Sequence, residues 1–122
     1  MTAIEWQKIE GLGIAVASLA LAVLVQPGWA WWGWPVAALW PDLSMLGYLA
    51  GRRVGATVYN AFHLYSGGLI LAVVGVVTGM TFLIALGALW MTHVGVDRAL
   101  GFGLKNDTGF EDTHLGRLRE RS

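Results

Sequence analysis

The chain reads as an all-α integral membrane protein: a bundle of four transmembrane helices, both termini cytoplasmic, with a short cytoplasmic C-terminal tail. Three observations predict this. Hydrophobic residues make up 56% of the 122 positions and charged residues only 13%, with a mean hydropathy of +0.58, whereas about a quarter of a soluble domain is charged. Apolar runs long enough to cross a bilayer recur along the chain. All eight basic residues fall on one side of the four-span arrangement.

The first span is placed at about 6–26. Its core, Leu12 to Gln26, rises only about 21 Å, so the amphipathic turn from Ile4 to Glu10 sits in the headgroups or completes the crossing. Glu5, Lys8 and Glu10 stand where a removable signal would carry a basic cluster, so no cleaved signal is expected. Pro27 and Gly28 end the span. The second, about 30–50, lies within "WAWWGWPVAALWPDLSMLGYLAG" and is interrupted by Pro35, Pro41 and Asp42. Its tryptophans read first as an interfacial aromatic belt and second as a platform for a flat apolar ligand. The third span is placed at about 54–77 and the fourth at about 80–98, joined by a turn at Thr78 and Gly79. Residues 1–122 form a single transmembrane domain, in which the tail, 99–122, folds back on the bundle through the freedom of Gly101, Gly103 and Gly109.

Charge sets the orientation. Lys8, Arg52, Arg53, Arg98, Lys105, Arg117, Arg119 and Arg121 share the side of the two termini, and the opposite side has no basic residue. The positive-inside rule makes that side cytoplasmic, and a three-span version would split these charges.

Polar residues inside the apolar segments come next. Asp42 lies ten residues before Arg52 and His63 ten after Arg53, so each sits about 15 Å from the arginine-marked interface, at matching depth. His93 lies about 7.5 Å above Arg98, and Asp97 shares its helical face at i, i+4. Tyr59, Asn60 and His63 also share a face. In the tail, "TGFEDTHLGRL" adds Asp112 and His114. Arg98, about 100° round the helix from Asp97, is expected to snorkel to the headgroups or pair with an acidic tail residue.

The stretches "PDLSMLGYLAG", "VGATVYNAFH", "THVGVDRALGFGLK" and "TGFEDTHLGRL" resemble those of a small bacterial membrane-protein family catalogued as domain of unknown function 4260. The resemblance runs from about Pro41 to Leu118, with Arg52 where proline is expected. It implies a multi-pass protein of the bacterial inner (plasma) membrane and names no reaction.

Two readings of the polar set stay open. In one, His63, His93, Asp97 and His114 ligate a divalent metal (zinc, iron or manganese), with Asp42 and Asp112 as catalytic carboxylates. Metal-dependent hydrolysis or acid/base chemistry on a lipid-like substrate would follow. In the other, the polar groups specify helix packing, and small-residue faces at Gly67, Gly68, Gly75, Gly87 and Gly95 dock a non-catalytic accessory subunit onto a homo-oligomer or larger membrane complex. Membrane lipid is the expected partner in either case. Cysteine is absent, and the chain carries no nucleic-acid, P-loop, Rossmann or nucleophile-elbow motif.

Overall fold

A computed structural model describes residues 1–106, 109–113 and 116–117, with side chains up to Leu104. Five α-helices follow in chain order: α1 Ala3–Val25, α2 Gly33–Leu39, α3 Arg52–Phe62, α4 Tyr65–Thr78 and α5 Thr81–Leu100. A 3-10 helix, Trp40–Ala50, continues directly from α2. Short strands β1 Lys105–Asn106, β2 Gly109–Thr113 and β3 Gly116–Arg117 pair antiparallel in the order β1-β2-β3, and β1 and β2 lie against α3.

Helix α1 begins in a capping box. Thr2 Oγ1 accepts from the Glu5 amide at 3.2 Å, and the Glu5 carboxylate accepts from the Thr2 amide at 2.9 Å, so two otherwise orphaned donors are satisfied. It ends at Gln26, in the left-handed conformation, one residue before a proline that cannot continue a helix. Helices α1 and α4 both pack along α5, and small residues allow both approaches. A Cβ on Gly11 would lie 2.8 Å from the Gly95 carbonyl oxygen, and one on Gly95 would lie 2.6 Å from that of Gly11. On the other flank a Cβ on Gly68 would sit 2.6 Å from the Gly87 carbonyl oxygen, and one on Gly75 would sit 2.6 Å from the Ile84 amide. Ser18 and Thr92 hydrogen-bond across the first interface at 2.7 Å.

Large apolar side chains are left on the outside while small and polar ones are buried. Leu24, Val77 and Leu49 are among the exposed, whereas Ser18, Ser44, His63, His93 and Arg98 are inside. Water does not tolerate that arrangement over so much surface, and lipid does. Helices α1 and α5 are long and apolar enough to cross a membrane, and α3 with α4 makes a third such segment if the pair is taken as one bent span. The chain is therefore a mainly helical membrane protein with two or three candidate spans.

Two of the expected spans take a different form. The segment 30–50 is divided between α2 and the tighter 3-10 helix, which starts at the Trp40–Pro41 step. The segment 54–77 is broken at His63 and Leu64, where α3 and α4 meet at a 43° bend. No proline or glycine stands at that break. Side chains of α5 hold it instead: Trp90 Nε1 donates to the Phe62 carbonyl at 2.7 Å, and Arg98 Nη2 donates to the His63 carbonyl at 2.7 Å. A helix break at membrane depth is tolerated where neighbouring elements satisfy the freed backbone groups, as here.

Candidate metal centre

The break, the start of the 3-10 helix and the second half of α5 converge. Asp42 stands in the first turn of the 3-10 helix, after the buried Pro41. His63 is the residue on which α3 ends, and the 3-10 helix packs on α3, so the two come together. His63 Nε2 lies 3.2 Å from Asp42 Oδ1. From α5, His93 Nε2 reaches the same Asp42 oxygen at 3.0 Å. Asp97, one turn on, lies 3.4 Å from His93 Nε2 and 3.6 Å from His63 Nε2 through its Oδ2. One ligand atom from each of the four residues falls within 4.8 Å of all the others.

The outer nitrogens decide how the rings are used. His63 Nδ1 lies 2.8 Å from the Tyr59 carbonyl oxygen, and His93 Nδ1 lies 2.7 Å from that of Ala38. A carbonyl can only accept, so each Nδ1 carries the proton, and in the neutral ring each Nε2 presents its lone pair to the carboxylates. Nitrogen lone pairs and carboxylate oxygens do not stand 3.0–3.6 Å apart without a cation or protons between them. A tetrahedral ion with ligand bonds of about 2.0–2.1 Å spaces its ligands about 3.3–3.5 Å apart, inside the range of these four separations, and all four ligand atoms lie within 4.8 Å of one another. Two carboxylates and two neutral imidazoles carry two negative charges, the complement of a divalent ion. The donor set of imidazole and carboxylate suits zinc, iron or manganese.

Packing fixes the ligands. The Tyr59 ring stacks on His63 at 3.7 Å between centroids, 9° from parallel. Trp40, Phe62 and Trp90 form an aromatic cluster beside the site. The histidine side chains are 0% and 7% exposed, against 42% for Asp42 and 18% for Asp97, so the way in is from the Asp42 side.

Of the residues singled out from the sequence, Asp42, His63, His93 and Asp97 are thus brought together. His114 lies outside the described residues, and of Asp112 only the backbone, in β2, is described. Arg98 differs from its expected place. It does not snorkel; it is buried and donates to the carbonyls of His63 and, at 3.2 Å, Phe102. The carbonyl freed by the break draws the guanidinium inward, and the bare backbone of Gly11 leaves room for its stem, since a Cβ there would meet the Arg98 Cβ at 2.5 Å. Trp90 was also missed, although its position three residues before His93 puts it on the same side of α5. The glycines read as a docking face for other proteins are occupied within the chain: Gly68, Gly75, Gly87 and Gly95 at the helix interfaces above, and Gly67 against the Trp90 ring.

Residues 4–118 match the family model described as Domain of unknown function (DUF4260). The chain belongs to the DUF4260 family. The match to DUF4260 extends to the first helix, well N-terminal of the motifs that carried the resemblance, so α1 is part of what defines this protein. No curated protein and no solved structure matches the chain.

Proposed function

We propose that this DUF4260 protein is a four-span protein of the bacterial inner membrane, with both termini cytoplasmic, that binds one divalent metal ion and uses it for hydrolysis of a lipid-like substrate. One observation carries the metal reading: two Nδ1–H groups are committed to backbone carbonyls while two Nε2 atoms converge on two carboxylates 3.0–3.6 Å away. A backbone partner on the far nitrogen is the usual support of a metal-bound histidine.

His63 and His93, each anchored through Nδ1 and buried, and the half-buried Asp97 are the holding ligands. Asp42 is the exposed member and serves as fourth ligand or as general base, free to take a proton from water entering on its open side. Three protein ligands with one replaceable position is the pattern of catalytic rather than structural sites. Held there, a divalent ion would supply Lewis acidity toward a carbonyl or phosphoryl oxygen and lower the pKa of water. Asp112 and His114 complete the proposal as residues of a tail that closes the cytoplasmic face, supported by β2 running against α3, whose C-cap is His63.

The competing reading is a packing network with both histidines protonated and no ion. Elemental analysis of detergent-purified protein beside His63→Ala and His93→Ala separates the two. About one divalent ion per chain, lost in both variants, is expected; a metal-free wild type with an unchanged fold would end the metal reading.

A further inference from the structure

Beside Arg98 lies a small cavity of about 110 Å³, walled by Gln7 and Glu10 of α1, Tyr65 of α4, Arg98 of α5 and Leu104. It has room for three or four waters at about 30 Å³ each, or for one phosphate group. Its level in the membrane follows from the far ends of the two long helices. From Val25 back to Glu10, and from Thr81 on to Arg98, the rise is about 23 and 26 Å, against a hydrocarbon core about 30 Å thick. The cavity therefore stands near the edge of the core, where acyl chains give way to phosphates.

Its walls hold donors and charges that they do not satisfy among themselves. The Arg98 side chain is buried and has five N–H donors. The carbonyls of Phe102 and His63 take two of them, which leaves three. Next to it, with the ring centroid 6.0 Å from the guanidinium carbon, Tyr65 has a buried hydroxyl that makes no hydrogen bond among the described residues. Glu10, exposed, brings the opposite charge to the same cavity. Neither Arg98 nor Glu10 forms an ion pair among the described residues, although a buried charge is costly without a partner. A simple anion would be repelled by Glu10 and a simple amine by Arg98. A phosphate and a primary amine on one short stem answer both.

We infer that this cavity binds an aminoalkyl phosphate, the head of an ethanolamine phospholipid, with phosphate oxygens accepting from Arg98 and the Tyr65 hydroxyl and the ammonium donating to Glu10. The inference does not rest on the metal reading. The test is native mass spectrometry of the purified full chain in detergent, titrated with a phosphatidylethanolamine and with a phosphatidylglycerol of the same acyl chains. One phosphatidylethanolamine per chain is expected, held about tenfold or more tighter than phosphatidylglycerol. Tyr65→Phe removes one hydrogen bond to a charged group and should weaken phosphatidylethanolamine binding about 10- to 100-fold. Glu10→Gln should erase the preference over phosphatidylglycerol. Lys8→Gln removes a charge close in sequence but outside the cavity wall, and should change neither. Circular dichroism of all three variants should match wild type. Free phosphoethanolamine, added as competitor, identifies the source: failure to displace the lipid supports the lipid as ligand, and displacement at equal concentration supports a soluble aminoalkyl phosphate in the same site. No bound lipid, equal binding of the two lipids by wild type, or binding that neither Tyr65→Phe nor Glu10→Gln alters would overturn the inference.

Discussion

Replacing Arg98 with alanine tests whether the helix break is part of the metal centre or only a packing irregularity. Arg98 Nη2 donates to the His63 carbonyl at 2.7 Å from a residue only 7% exposed. Truncation leaves that carbonyl unpaired where little water reaches it. A hydrogen bond from a charged group contributes about 1.5–3 kcal/mol, and the longer bond to Phe102, at 3.2 Å, adds less. If the bond holds His63 in its ligating position, the same energy should appear in metal affinity. Loss of a group that orients a ligand lowers affinity by about 10- to 100-fold, equivalent to about 1.4–2.8 kcal/mol, so the two estimates agree. Arg98→Lys keeps the charge but not the fork that reaches two carbonyls, and should fall between wild type and alanine. The assay is competition against a chromophoric chelator in detergent, with thermal unfolding followed in parallel by circular dichroism. Metal affinity equal to wild type in Arg98→Ala, with only the unfolding temperature lowered, would refute the reasoning.

Three further outcomes follow from the packing and the charge. Gly87→Ala should destabilise by about 1–3 kcal/mol in thermal unfolding, because its Cβ meets the Gly68 carbonyl oxygen and the Ala72 amide, both backbone; Gly13→Ala, which meets nothing within 4 Å, should match or exceed wild type. Trp90→Phe keeps the aromatic wall but removes the donor to the Phe62 carbonyl, and should cost about 1–3 kcal/mol of stability while the protein retains its metal on elemental analysis. Reporter fusions after Gln26 and Gly79 should report the periplasm and those after Arg53 and Ser122 the cytoplasm; a periplasmic signal from the Ser122 fusion would contradict the four-span orientation.

Much of the site was legible because it depends on spacing. His93 and Asp97 share a face at i, i+4, and counting residues from the paired arginines set Asp42 and His63 at one depth; each inference needs only the rise of a helix. The break at His63 was not legible, since no proline or glycine marks it and its support comes from Trp90 and Arg98 on another helix. Arg98 was misplaced for the same reason: with an unbroken third span there is no free carbonyl to draw it inward. A stripe of small residues says that a helix is approached closely without saying by which, so Gly68, Gly87 and Gly95 were as compatible with a foreign partner as with their own bundle. Pro41, which has no N–H to continue the α-helical ladder, marks where α2 gives way to the 3-10 helix, but a proline does not say what form the chain takes beyond it.

The central claim is that His63, His93 and Asp97 hold one divalent ion, with Asp42 or water in the fourth position. X-ray absorption spectroscopy of the zinc-loaded protein tests it most directly. The claim predicts four light ligands at about 2.0–2.2 Å with outer-shell scattering from two imidazole rings, reduced to one ring in either His63→Ala or His93→Ala. A spectrum without imidazole scattering, or one that neither substitution changes, would contradict it.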